Sequence, residues 1–321
     1  MPEACDDDNA VAGDGCTSCT VDPGYTCYFN RPSFCYDTAF VPVFTGNGDA
    51  LVAALGTAAP GEVFVLKAGS YKPSGGASIT IDQDVVMVPE TAGAVTRLQG
   101  SADGGAILVV GLGTNVLFAG ITFKAEADSD QAVDVDAATA TFIGCEFQGR
   151  GSQGQGLRAH NDARVTVRES LVHSSAAGGI ELDTPYFTLV NDMLYGNGTG
   201  GGGGSEFGGI WVNATPDAAS VIAHVSISGC SGKDGQSGGI RCDGDMDITS
   251  SIVVYSAPMA ASPACSFTES LIDGAPELAS ATNLHLLGSS PAIDQALSSV
   301  ELIDFDGQAR IGPRDIGADE L

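Results

Sequence analysis

Gly156-Leu157-Arg158-Ala159-His160 and Gly179-Ile180-Glu181-Leu182-Asp183 are one five-residue pattern written twice, 23 residues apart. Four more stretches take the same form: Ala106-Ile107-Leu108-Val109-Val110, Ala132-Val133-Asp134-Val135-Asp136, Gly209-Ile210-Trp211-Val212-Asn213 and Gly239-Ile240-Arg241-Cys242-Asp243. From Ile107 onward the second positions recur at intervals of 26, 24, 23, 30 and 30 residues. Between them lie shorter alternating pieces, such as Val116-x-Phe118 with Ile121-x-Phe123, Ala140-x-Phe142 with Cys145-x-Phe147, and Val165-x-Val167. Each repeat therefore supplies about three short strands with apolar residues on one face. Such a coil cannot bury its inner face alone and must stack on its neighbours. The expected fold is all-β, a right-handed parallel β-helix with three strands per coil.

Composition agrees, with 44 glycines and 43% hydrophobic residues in 321. A formal net charge of −27 repels phosphate backbones and anionic surfaces, so nucleic acid and membrane-surface partners are excluded. No apolar stretch approaches the ~20 residues of a membrane helix. A polyanionic substrate would need local arginines or a bridging divalent cation.

Nine cysteines point to an oxidising compartment, and five of them, Cys5, Cys16, Cys19, Cys27 and Cys35, fall in the first segment. Residues 1–37 read as a cysteine-rich module stapled by disulfides, and residues 38–321 as the β-helix with a C-terminal cap region. Cys242 and Cys265 are further disulfide candidates, although pairing among Cys145, Cys230, Cys242 and Cys265 is not fixed by sequence; Cys145 and Cys242 fall at inward positions. Cys16-x-x-Cys19 has no histidine nearby, which favours a disulfide over zinc. The acidic loop of residues 6–14 is the first place where calcium could bind, but it lacks EF-hand spacing. No charged start and apolar run precedes Pro2, as expected where a leader has been removed. Asp49 is the expected cap of a short helix bearing Leu51, Val52 and Leu55, ending at Gly56 and closing the solenoid's open end.

Two stretches resemble known families. Cys5-Asp6-Asp7-Asp8-Asn9, Gly13-Asp14-Gly15-Cys16, Cys19 and Pro23-Gly24-Tyr25-Thr26-Cys27 resemble the cysteine-rich repeat of myxobacterial surface proteins. Ser290-Pro291-Ala292-Ile293-Asp294, Asp304-x-Asp306-Gly307-x-x-Arg310 and Asp315-Ile316-Gly317-Ala318-Asp319-Glu320 resemble the C-terminal region of exported β-helix proteins of the choice-of-anchor type. That resemblance implies an extracellular or cell-surface location and fixes no reaction.

If the second and fourth positions of each pattern face inward, the third and fifth face out and stack into ladders. One ladder reads Leu108, Asp134, Arg158, Glu181, Trp211, Arg241; the other reads Val110, Asp136, His160, Asp183, Asn213, Asp243. They gather two arginines, one histidine, five carboxylates and the chain's single tryptophan, residue types that bind and transform sugars. Trp211 would stack on a pyranose, with Asn213, Arg241, Asp243, Asp134 and Asp136 as further contacts. His160, expected between Asp136 and Asp183, would be held cationic as a proton donor. Arg158 would clamp a carboxylate or hydroxyl pair. Glu181 and Asp183, about 6.5–7 Å apart on one strand face, are the carboxylates available for hydrolysis, which in inverting enzymes lie ~6.5–9.5 Å apart. For elimination, Arg158, Arg241 or calcium would have to offset the acidic field.

Long insertions at residues 196–207 and 229–238 precede the Trp211 and Arg241 rungs and would wall the groove. The run of glycines at 200–204 matches no phosphate-binding loop, and no Gly-x-Ser-x-Gly elbow is present. The expected function is binding, and in a finer form cleavage, of an extracellular polysaccharide by a hydrolase or lyase along this face. The competing expectation is a non-catalytic adhesion or spacer protein of the cell envelope, partnered by other surface proteins.

Overall fold

The computed structural model describes residues 16–17, 20–28, 34–38, 41–75, 77–100, 107–125, 131–149, 154–199, 205–299 and 301–321. Cys5, Cys19, the acidic loop of residues 6–14 and the glycine run at 200–204 lie outside them.

Three parallel sheets wind around one core, with eight, ten and nine strands among the described residues, and from Glu62–Leu66 onward every third strand along the chain rejoins the same sheet. The right-handed parallel β-helix expected from the repeats is the fold. The first sheet contains Ile107–Val110, Val133–Asp136, Gln155–His160, Gly178–Asp183, Ile210–Val212 and Ser237–Cys242. Their register places Leu108 on Asp134, Asp134 on Arg158, Arg158 on Glu181, Glu181 on Trp211, and Trp211 on Arg241. Val133, Val135, Leu157, Ala159, Ile180, Leu182, Ile210, Val212 and Ile240 are fully buried between these rungs.

Glycine opens the later patterns because neighbouring coils touch there. A Cβ on Gly179 would lie 2.4 Å from the carbonyl oxygen of Gly209, and one on Gly239 2.2 Å from that of Ala260. Opposite the first sheet, rings stack from coil to coil: Phe118 on Phe142 at 5.2 Å and Phe123 on Phe147 at 5.2 Å. Between second and third sheets a single residue turns the chain in the left-handed region, at Glu169, Asn191, His224 and Ser250 in successive coils. Their amides still donate to the next coil, to Val190, Ala223, Thr249 and Thr268 respectively, so the bending residues keep their own backbone donors paired.

The helix is Gly48–Leu55, and its cap is Asn47, which accepts from the Ala50 amide at 2.9 Å. Asp49 is not the cap: it sits in the first turn, and its carboxylate accepts from the Ser74 amide at 2.7 Å. Leu51 and Leu55 are buried in the main core.

Cys27 and Cys35 form a disulfide across the hairpin of Tyr25–Tyr28 and Phe34–Asp37, whose Tyr36 packs on Val65, Val88 and Ala119 of the second sheet. Cys16 is also disulfide-bonded. Cys242, inward on the first sheet, bonds Cys265, which opens the next coil's second-sheet strand. Cys145 and Cys230 remain buried thiols. Burial pushes the Cys145 thiol up to about 12 and the Cys230 thiol to about 11, which removes both as nucleophiles.

Residues 273–321 do more than cap an end. Leu286, Ala292, Ala296 and Ile316 bury Ile252 and Val254, outward residues of the third sheet, and Leu284 and Ala318 cover Met193. The outward face of that sheet carries Met193, Ile252 and Val254 with Ser226 and Ser228 on the rung between them, and the tail runs along it as a strap. The Gly317 amide donates to Ser250 and the Ala318 amide to the Ser226 hydroxyl.

Candidate functional site

Parallel register brings the expected residues into two rows on the outer face of the first sheet, but the rows divide into two patches. The upper patch holds Asp134, Asp136, Arg158, His160, Glu181 and Asp183. His160 Nε2 lies 3.1 Å from Asp134 Oδ1, and its Nδ1 lies 3.8 Å from Asp136. The imidazole therefore leans diagonally towards Asp134 instead of standing between Asp136 and Asp183. Asp136 is taken up by Asn161, whose Nδ2 donates to it at 2.7 Å. The short His160–Asp134 contact lacks hydrogen-bond alignment, and both atoms are shielded from solvent. Burial raises the Asp134 pKa, opposed by the charges of His160 and Arg158.

Glu181 is 8% exposed, far more enclosed than an open strand face requires. Gln155 Nε2 donates to its Oε2 at 2.7 Å, and Arg158 Nε lies 3.8 Å from the same oxygen. Arg158 itself is 34% exposed in its side chain and has no hydrogen-bond partner among the described residues. Asp183, on the next rung beside His160, is exposed.

The lower patch is closed on itself. The Arg241 guanidinium lies 4.3 Å over the Trp211 ring and grips Asp243 through Nε at 3.0 Å and Nη2 at 3.3 Å. Trp211 Nε1 donates to the same carboxylate at 3.0 Å, and Phe207 flanks the ring at 5.5 Å. Glu206, from the loop before this rung, lies 3.6 Å from Arg241 and also pairs with Lys233. A tryptophan expected to offer its face to a sugar instead stacks on an arginine, because the guanidinium of the next rung is long enough to fold over it. Asn213 follows Trp211 in register, its amide bonded to Leu182.

Several contributors carry no signal in the ladder. Glu206 and Lys233 come from insertions without periodicity. Gln155 was findable: Gln131 precedes it by one 24-residue repeat, and the two amides bond at 3.2 Å. A concavity of about 660 Å³ lies away from both patches, on the outer face of the second sheet, lined by Arg164, Thr166, Tyr186, Thr188 and Asp217. There Arg164 stacks over Tyr186 at 3.9 Å.

No protein-family model and no curated protein matches the chain. Among solved structures it is similar to one described as the crystal structure of pectate lyase Pel9A, with a TM-score of 0.51 and 14% identity, over 84% of this chain and 90% of that one. That likeness shows a shared parallel β-helix fold and nothing finer.

Proposed function

We propose that the protein binds an extracellular polysaccharide across the upper patch of the first sheet, with Arg158 as the central contact. The observation that carries this reading is the state of that side chain. In a chain with a net charge of −27, it is a partly exposed cation with no hydrogen bond among the described residues. Exposed Asp183, the Asp134–His160 pair and Glu181 surround it, a mixture of donors and acceptors suited to sugar hydroxyls with one fixed positive charge for a uronate carboxylate. The fold shared with a protein named for acting on pectate supports a polysaccharide as the class of ligand. The disulfides support an exported location, and among the described residues no helix is long and apolar enough to cross a membrane.

Cleavage is the finer form of the proposal, with Glu181 and Asp183 as carboxylates, His160 as proton donor and Arg158 as clamp. Enclosure of Glu181 by Gln155 and Arg158 favours binding over turnover. A second reading, an adhesive or spacer protein, draws its support from the closed lower patch, where Trp211, Arg241 and Asp243 satisfy one another. The cysteine-rich segment 1–37 and the anchor-type ending would then join it to other surface proteins.

Binding to a panel of neutral and uronate polysaccharides, followed by affinity electrophoresis, separates these readings. Arg158→Ala is expected to weaken binding about tenfold or more, the loss of a charged hydrogen bond worth about 1.5–3 kcal/mol. Arg164→Ala, on the second sheet, should leave it unchanged. Absence of binding by the wild type, or equal losses in both variants, contradicts the proposal. Product release from the same polymers would establish turnover.

A further inference from the structure

The strap of residues 273–321 brings together three side chains from parts of the tail distant in sequence: His285, Asp306 and Asp319. One ligand-type atom of each lies within 4.8 Å of the other two. Asp306 belongs to the Asp304-x-Asp306-Gly307 stretch and Asp319 to the final Gly317-Ala318-Asp319-Glu320, and the polysaccharide reading uses neither.

The orientation of His285 is set from both sides. Its Nδ1 contacts Asn283 Oδ1, and the His285 backbone amide donates to that same oxygen at 3.3 Å, so the atom facing the ring is an acceptor. Nδ1 therefore carries the ring proton, and Nε2 is turned towards Asp306 Oδ2 at 2.9 Å. With the neutral ring, a nitrogen lone pair would face a carboxylate lone pair across that distance. A proton shared across the contact, or a metal ion, removes that repulsion.

Asp319, through its burial, favours the metal ion. It is 4% exposed, it receives one hydrogen bond, at Oδ2 from the Leu286 amide at 2.7 Å, and no arginine or lysine side chain pairs with its carboxylate among the described residues. A proton on His285 bonds Asp306 and acts on this third, buried carboxylate only through space. A metal ion serves all three donors. Donors held about 2.0–2.2 Å from a tetrahedral ion stand roughly 3.3–3.6 Å apart, so side-chain shifts of about an ångström close the cluster.

We propose that His285, Asp306 and Asp319 bind a divalent transition-metal ion of the zinc class, with Asn283 as the positioning residue that fixes the imidazole. One imidazole nitrogen and two carboxylate oxygens suit zinc better than calcium, which takes 6–8 oxygen ligands. Water completes the coordination, because His285 and Asp306 are partly open to solvent. The ion would fasten the 283–286, 304–308 and 317–320 stretches of a strap that contains few regular strands. This metal site is independent of the polysaccharide face.

Calorimetric titration of the chelator-stripped full chain with zinc chloride at neutral pH tests the assignment. One equivalent of zinc should bind in the micromolar range or tighter. His285→Ala and Asp306→Asn, both at partly exposed positions, should abolish that binding, and Asn283→Ala should weaken it about tenfold or more. On the wild type alone, zinc should slow hydrogen exchange in the three stretches named above. No zinc binding by the folded wild type, undiminished binding in both ligand variants, tighter binding of calcium than of zinc, or zinc protection confined to other parts of the chain would each overturn the proposal.

Discussion

Replacing Arg310 with methionine is expected to cost about 3–5 kcal/mol of stability, the loss typical of breaking a buried charged network. The residue is 3% exposed, and its guanidinium makes seven contacts. Nε donates to Ile303 O at 2.9 Å; Nη1 reaches Asp315 O, Asp319 O and the Glu320 carboxylate; Nη2 reaches Asn191 Oδ1, Gly317 O and Ala318 O. Six of these acceptors belong to the strap, and Asn191 belongs to the solenoid bend. Methionine fills similar space and bonds to none of them, so several carbonyls lose their partner away from water, at about 1–3 kcal/mol each where nothing replaces it. Urea denaturation should show the loss, and limited proteolysis should open residues 273–321 before the coils. A variant within about 1 kcal/mol of the wild type, with an intact strap, would show that the arginine is not the clamp described.

Phe142→Ala should cost a similar ~3–5 kcal/mol for a different reason. The ring is fully buried, stacked on Phe118 and set edge-on to Phe123 and Phe147 at 5.6 and 5.1 Å. Truncation leaves a cavity that the neighbouring rings cannot fill without leaving their own contacts in adjacent coils. Because each coil is held by its neighbours, the defect weakens two interfaces at once. Thr166→Ala, outward on the same sheet, should stay within about 0.5 kcal/mol in the same denaturation series. Equal effects at the two positions would contradict the inward and outward assignment.

The repeat made the solenoid legible because alternation is a backbone property: once Leu157 and Ala159 face in, Arg158 and His160 face out whatever their neighbours are. Register then follows from the spacing, and Asp134, Arg158, Glu181, Trp211 and Arg241 do stack. Where a long outward side chain leans is not a backbone property. His160 turns to Asp134, and Arg241 folds over Trp211, because carboxylates and a ring lie within reach, one of them supplied by Glu206 from an aperiodic insertion. The helix cap moved from Asp49 to Asn47 because either side chain could serve, and Asp49 found the Ser74 amide instead. The Cys242–Cys265 pair stayed open in the sequence, because the bond joins strands of two different sheets and a spacing of 23 residues does not say so. The strap's motifs were visible, but nothing periodic told which face they cover. Arg164 and Tyr186 escaped notice because they belong to second-sheet strands outside the quoted patterns.

Hydroxyl-radical footprinting of the protein with and without a bound oligosaccharide tests the central claim most directly. His160 marks the upper patch of the first sheet, and Tyr186 marks the concavity of the second. Protection of His160 and its neighbours in 155–160 and 178–183, with Tyr186 unchanged, is the predicted result. Protection of Tyr186 with His160 left fully reactive would place the sugar on the other face and contradict it.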